Sequence, residues 1–156
     1  MNILFLEDRA SATELIENYL RSAKRHNVFT ACNVYEANSI IEKNNIECFV
    51  IDLNLAPNGH TLKRKDSSLF SGWIWIIDVV IKKFFQSIRS DEKLPIIIYS
   101  EFISDFDKQY DEFHLDNIED WAFFKQIEKV KKFEENTSQN LLNAIESVNK
   151  QLNSKR

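Results

Sequence analysis

Four short apolar runs in this sequence each end on a group that can do chemistry. Ile3-Leu4-Phe5-Leu6 stops at Glu7-Asp8, and Cys48-Phe49-Val50-Ile51 stops at Asp52. Leu94-Pro95-Ile96-Ile97-Ile98-Tyr99 stops at Ser100, and Trp121-Ala122-Phe123-Phe124 stops at Lys125. Carboxylates held within a few ångströms of one another raise each other's pKa unless a cation stands among them. A hard divalent ion such as Mg²⁺, which takes oxygen ligands and keeps several waters, relieves that repulsion. One carboxylate can then attack a phosphoryl group, while the ion and a lysine ammonium neutralise its equatorial oxygens. A serine hydroxyl can donate to one of those oxygens once the group is attached.

Such a convergence needs a scaffold that brings the run ends to one edge. A fully apolar run of this length suits a strand buried on both faces, as in a parallel sheet. Between the runs the spacing turns helical: Leu15, Ile16, Tyr19, Leu20 and Ala23, then Val34, Ala37, Ile40 and Ile41. Val28–Cys32 reads as a further short strand. Gly72 opens an apolar helix carrying Trp73, Ile76, Ile77, Val80, Ile81, Phe84 and Ile88, and a last amphipathic helix covers about 137–152. This alternation predicts an α/β fold, a doubly wound five-stranded parallel sheet with helices on both faces. Ligands of such sheets bind outside the carboxyl ends of the strands, where the acids, Ser100 and Lys125 stand.

Length and composition narrow the classes. The chain has 156 residues, which at roughly 100–200 residues per domain predicts a single domain over 1–156. With 44% hydrophobic and 28% charged residues it is an ordinary globular mixture. A net charge of −4 gives no electrostatic footprint for nucleic acid. No apolar run reaches the ~20 residues of a membrane span, and no signal-peptide pattern precedes the first strand, so a cytoplasmic protein is expected. Cys32 and Cys48 have neither disulfide-framework nor metal-ligand spacing and read as small buried residues in or beside strands. His26, His60 and His114 lack Cys or His partners at ligand spacing and read as surface or loop residues. Lys63-Arg64-Lys65 reads as a solvated charge run. Trp73 and Trp75 flank Ile74 and cannot share a helix face, so one is expected in the core and the other half-exposed. Nucleotide-binding glycine loops and the hydrolase nucleophile elbow have no match.

Taken with their order, the strand-end residues resemble the response-regulator receiver domains of two-component signalling. Ile3–Asp8 is similar to the family's first strand and acidic pair, and Phe49–Leu55 to its phosphoacceptor strand. Pro95–Ser100 is similar to the strand ending on Thr or Ser, and Phe124-Lys125 to the one ending on Lys. The likeness spans about 1–152 and implies a flavodoxin-like strand order 2-1-3-4-5. It implies Asp52 as phosphoacceptor, and Mg²⁺ held by Asp8, Asp52 and the Asn54 carbonyl, with Glu7 assisting through a water. Ser100 and Lys125 would contact the phosphoryl group. Lys131 and Lys132, which precede Phe133 and the last helix, are the alternatives to Lys125.

The sequence also departs from the family pattern. The glycine that normally follows the phosphoacceptor closely is matched by Gly72, after an inserted loop at about 57–71; loops this long are usually functional or disordered. Gln126 replaces the proline after the lysine, so the family's cis peptide is expected to be missing. The aromatic switch position three residues before the lysine falls on Ala122. Glu101 follows Ser100 where a small residue is usual. Turned inward within ~6 Å of a phosphoryl dianion, it would oppose phosphorylation by on the order of 1–3 kcal/mol. The cost of an inward acid beside three others favours an outward orientation.

The leading expectation is a stand-alone receiver phosphorylated on Asp52 by a histidine kinase or phosphotransfer protein. The chain ends about where the fold's last helix ends, so output would be contact with a protein effector, made by the chain or by a dimer of it. Beyond self-phosphorylation and autodephosphorylation it would not be an enzyme. The alternatives are a pseudo-receiver, a phosphorylation-independent interaction module, and a metal-dependent phosphotransfer or hydrolytic enzyme on the same acids.

Overall fold

Side chains along a strand alternate between the two faces of a sheet, so runs apolar at every position require a cover on each side. The computed structural model describes residues 1–9, 17–20, 26–55, 71–84, 94–104 and 127–154. Five strands, β1 (Asn2–Leu6), β2 (Asn27–Ala31), β3 (Cys48–Ile51), β4 (Ile96–Ser100) and β5 (Glu128–Lys131), form one sheet in the order β2-β1-β3-β4-β5. Every pairing is parallel. The expected doubly wound architecture and strand order are therefore present.

Helices α1 (Val34–Lys43), α2 (71–84) and α3 (Thr137–Ser154) supply the cover. Helix α2 runs from Ser71–Trp75 through a π-helical stretch, Ile76–Ile81, into Lys82–Phe84. Leu4, Leu6, Phe49, Ile51, Ile96 and Ile98 face one core, shared with α1 and α2. Ile3, Phe5, Val50, Ile97 and Tyr99 face the other, shared with Leu20 of the helical residues 17–20 and with α3. The three central strands β1, β3 and β4 thus contribute alternate residues to two cores. No helix among the described residues is long and apolar enough to cross a membrane.

Several side chains lie elsewhere than the sequence suggests. Cys48 is buried as expected, but Cys32 is exposed. It sits at the β2–α1 junction, where Asn33 caps α1 by accepting from the Tyr35 and Glu36 amides, and Glu36 reaches back to the Cys32 N–H at 2.9 Å. Trp73 and Trp75 are both buried, because the first turn of α2 is enclosed on all sides; the Trp75 indole donates to Asn38 Oδ1 of α1 at 3.0 Å. His26 is buried rather than on the surface, with Nε2 3.3 Å from Glu146 Oε1 of α3. The fifth strand is Glu128–Lys131; the run 121–124, the remaining loop residues to 70, His60, His114, Lys63–Lys65, Lys125 and Gln126 lie outside the described residues. Ser71, placed at the end of the inserted loop, is the first residue of α2.

Gly72 positions the loop after β3. Its N–H donates to the Leu53 carbonyl at 2.9 Å, and a Cβ at this position would overlap the backbone carbonyl oxygen of Asp52. Gly72→Ala should therefore destabilise the fold by about 1–3 kcal/mol through overpacking. Urea denaturation checks this, and unchanged stability would show that the loop yields without cost.

Candidate functional site: an acidic cluster at the strand ends

Strand register brings the first two acids together. Leu6 is paired with Ile51, so Glu7 and Asp52 are the first residues beyond the ladder on adjacent strands. Their backbones are fixed by hydrogen bonds from Asp52 N–H to Leu6 O and from Glu7 N–H to Ala31 O, each 3.0 Å. Both side chains are buried, and Asp8 beside them is half-buried. One oxygen from each of Glu7, Asp8 and Asp52 lies within 4.8 Å of the others. An all-oxygen, carboxylate-rich donor set at that spacing fits a hard cation such as Mg²⁺.

The cation already among these acids is Lys132. Its N–H extends the β4–β5 ladder by one step, donating to Ser100 O at 3.1 Å. Its ammonium donates to Asp52 Oδ2 at 2.7 Å and to Glu7 Oε2, and lies 5.2 Å from the centre of the Tyr99 ring. The lysine on Asp52 is thus Lys132, whereas Lys131 is exposed and pairs with Glu134. Burial pushes the Glu7 carboxyl above its ordinary range, opposed by the Lys132 hydrogen bond and charge. Burial also pushes the Tyr99 hydroxyl up to about 12, with the Glu7 and Asp52 charges adding to the effect.

The remaining candidates flank this centre. Ser100 is buried at the end of β4, and its Oγ accepts from the Phe102 N–H at 3.4 Å. The Asn54 N–H donates to Asp52 Oδ1 at 3.3 Å, folding the loop back over the carboxylate. Glu101 is bound by Arg9, with Nη2 to Oε1 at 2.6 Å. That hydrogen bond, ahead of the charges of Glu101, Glu7 and Asp52, raises the Arg9 pKa further. Arg9 carried no signal in the sequence beyond its place next to Asp8. Phe133 follows Lys132 in a left-handed conformation, φ 60°, with its ring exposed. No cis peptide occurs among the described residues.

Fold and site define a class, a doubly wound α/β protein with a buried acid cluster at the carboxyl edge of its sheet. Neither a protein-family model nor a curated protein sequence matches the chain. Solved structures do. A receiver domain protein of Clostridium thermocellum matches with a TM-score of 0.63 at 19% identity, over 99% of this chain and 98% of that one. CheY4 of Vibrio cholerae matches at 0.61 and 16%, and the response regulator TrrA of Thermotoga maritima, in complex with Mg²⁺-BeF, at 0.58 and 20%. Both cover 94% of this chain and 97% of their own. The chain has the fold of response-regulator receiver domains.

Two outcomes check the electrostatics. Lys132→Met leaves two buried carboxylates without their ammonium and should cost on the order of 3 kcal/mol in metal-free buffer. Lys131→Ala, at an exposed pair, should cost less than about 1 kcal/mol. Equal thermal shifts in the two variants would contradict the assignment of Lys132. The second outcome concerns pH. Above the ordinary Glu7 value of 4.5, the unfolded chain holds fewer protons at this site than the folded one. Stability then falls as pH rises, until the raised folded pKa has been passed. Glu7→Gln should remove that part of the slope in denaturation series run between about pH 4 and 7; an unaltered slope would assign it to other groups.

Proposed function

We propose that this chain is a receiver domain that accepts a phosphoryl group on Asp52 in a Mg²⁺-dependent phosphorelay and signals through protein contacts. The observation that carries the reading is the placement of Asp52, buried at the end of β3 beside Glu7 and Asp8, with the Lys132 ammonium on its Oδ2. An Asp52 carboxylate oxygen forms the new P–O bond as the P–N bond of a phosphohistidine donor breaks, and the leaving imidazole nitrogen takes up a proton. Bound Mg²⁺ supplies charge neutralisation for the transferring oxygens, and Glu7, Asp8, Asp52 and the Asn54 backbone are the residues that would hold it. Lys132 can turn from Glu7 to a phosphoryl oxygen while remaining at the Asp52 end of the site. Ser100, at the neighbouring strand end, can donate its hydroxyl proton to another. The group turned over is the chain's own aspartate, so no diffusible substrate is implied. The donor would be a histidine kinase or phosphotransfer protein, and the output a protein effector or a second copy of the chain. TrrA, solved with Mg²⁺-BeF on the same fold, supports the metal and the phosphoryl chemistry.

One observation favours the second reading, a pseudo-receiver that binds partners regardless of phosphorylation. The position three residues before Lys132 is Lys129, and β5 (Glu-Lys-Val-Lys) contains no aromatic residue. The family's aromatic switch therefore has no counterpart in that strand. Incubation with Mg²⁺ and acetyl phosphate followed by intact mass measurement separates the readings. The wild type should gain one phosphoryl mass and Asp52→Asn none. Labelling of Asp52→Asn would move the acceptor elsewhere. A wild type that binds Mg²⁺ without being labelled would favour the pseudo-receiver.

A further inference from the structure

The sheet order places β3 between β1 and β4. Arg9 follows the acids at the end of β1, and Glu101 follows Ser100 at the end of β4. Their ion pair therefore joins two strands that are not neighbours and spans the end of β3, where Asp52 stands. The two outer strands lie about 9–10 Å apart, a gap that two long side chains can bridge. Arg9 is also anchored inward, its backbone N–H donating to Glu7 Oε1 at 3.2 Å. The pair is partly exposed, 46% for the Arg9 side chain and 28% for Glu101, whereas the carboxylates of Glu7 and Asp52 are buried. The charges of Glu7 and Asp52 reach Arg9, so the pair stands within electrostatic range of the acids.

We infer that the Arg9–Glu101 ion pair is a specificity-determining rim of the acidic site, in which Arg9 favours phosphate-bearing anions and Glu101 restrains it. The inference rests in part on the phosphoacceptor reading of Asp52. Its physical content is a charge balance. The intact pair adds no net charge to a site dominated by acids. Without Arg9 the rim is negative, which repels an anionic donor and attracts a cation. Without Glu101 the rim is positive, and both effects reverse. At such separations one unit charge changes a rate or affinity by about three- to tenfold, and salt reduces the change because the rim is exposed.

The test uses Arg9→Gln, Glu101→Gln and the double variant, near-isosteric changes at a partly exposed pair. Labelling rate with acetyl phosphate is measured at saturating Mg²⁺ and low salt, and Mg²⁺ affinity by calorimetry without donor. Labelling should be fastest in Glu101→Gln and slowest in Arg9→Gln, with the double variant near the wild type. Mg²⁺ affinity should follow the opposite order. Rates and affinities moving together, or staying within twofold of the wild type in both single variants, would overturn the inference. If the wild type is not labelled, the phosphoacceptor reading fails and the Mg²⁺ series alone decides the role of the rim. A wild type that neither labels nor binds Mg²⁺ overturns both.

Discussion

Two carboxylates at adjacent strand ends can be buried only if something compensates their charge, and in this protein the Lys132 ammonium does so. Glu7 and Asp52 are forced together by the β1–β3 register, so neither can move away without breaking the central ladder. The lysine comes from beyond β5, on the far side of β4, and its long stem must cross the end of β4 to reach them. Two features fix that reach. The Lys132 N–H is held by Ser100 O, and the ammonium lies over the Tyr99 ring, itself in contact with Phe5 at 5.8 Å between ring centres. After Lys132 the backbone turns through two left-handed residues, Phe133 and Asn136, before α3 begins at Thr137. For a phenylalanine that conformation is unfavourable, so a sharp exit from the site is maintained against local preference.

The loop after β3 obeys a similar constraint. Gly72 lies so close to Asp52 that only a residue without Cβ fits, which ties the start of α2 to the backbone of Asp52. Next to it, the Ser71 hydroxyl accepts from the Leu55 N–H at 3.1 Å and donates to the Leu55 carbonyl at 2.8 Å. The buried Ser71 and Leu55 thus form a closed base from which residues 56–70 depart and to which they return. With both ends pinned, the length of the intervening segment has little leverage on the site, since closure entropy grows only slowly with loop length.

Much of this organisation was legible in the sequence because parallel strands buried on both faces announce themselves as apolar runs, and functional groups stand where the runs stop. That logic located Glu7, Asp8, Asp52 and Ser100. It failed at the fifth strand because β5 is an edge strand with only Val130 buried, and Glu-Lys-Val-Lys has no apolar run to notice. The lysine follows the strand: beside so polar a stretch nothing in the sequence distinguishes Lys132 from Lys125 and Lys131 as the ammonium that is buried. A lysine just after a short β-like stretch and before the last amphipathic helix was the available signal. The burial of His26, and of both Trp73 and Trp75 where one half-exposed ring is expected, escapes the sequence for a related reason. Their burial brings in partners from distant elements: Glu146 meets His26 Nε2, while His26 Nδ1 stays buried without a hydrogen-bond partner, and Asn38 accepts from the Trp75 indole. Cys32 was drawn outward by a capping arrangement that spacing alone does not reveal.

The site therefore has two layers of positive charge with different physics. Lys132 is buried against buried acids, where screening is weak, so its interaction acts on the stability of the fold and on the protonation of Glu7. Arg9 is half-exposed and bound to a half-buried Glu101, where solvent and salt weaken every interaction, so this pair contributes little to stability. What an exposed charge pair controls well is the approach of ions, through the potential at the mouth of a cleft. The acidic residue after Ser100, which taken alone would handicap an anionic reaction, is in the folded protein one half of a neutral pair. Its charge is balanced by Arg9, a residue 92 positions away in sequence and brought to it across the end of β3.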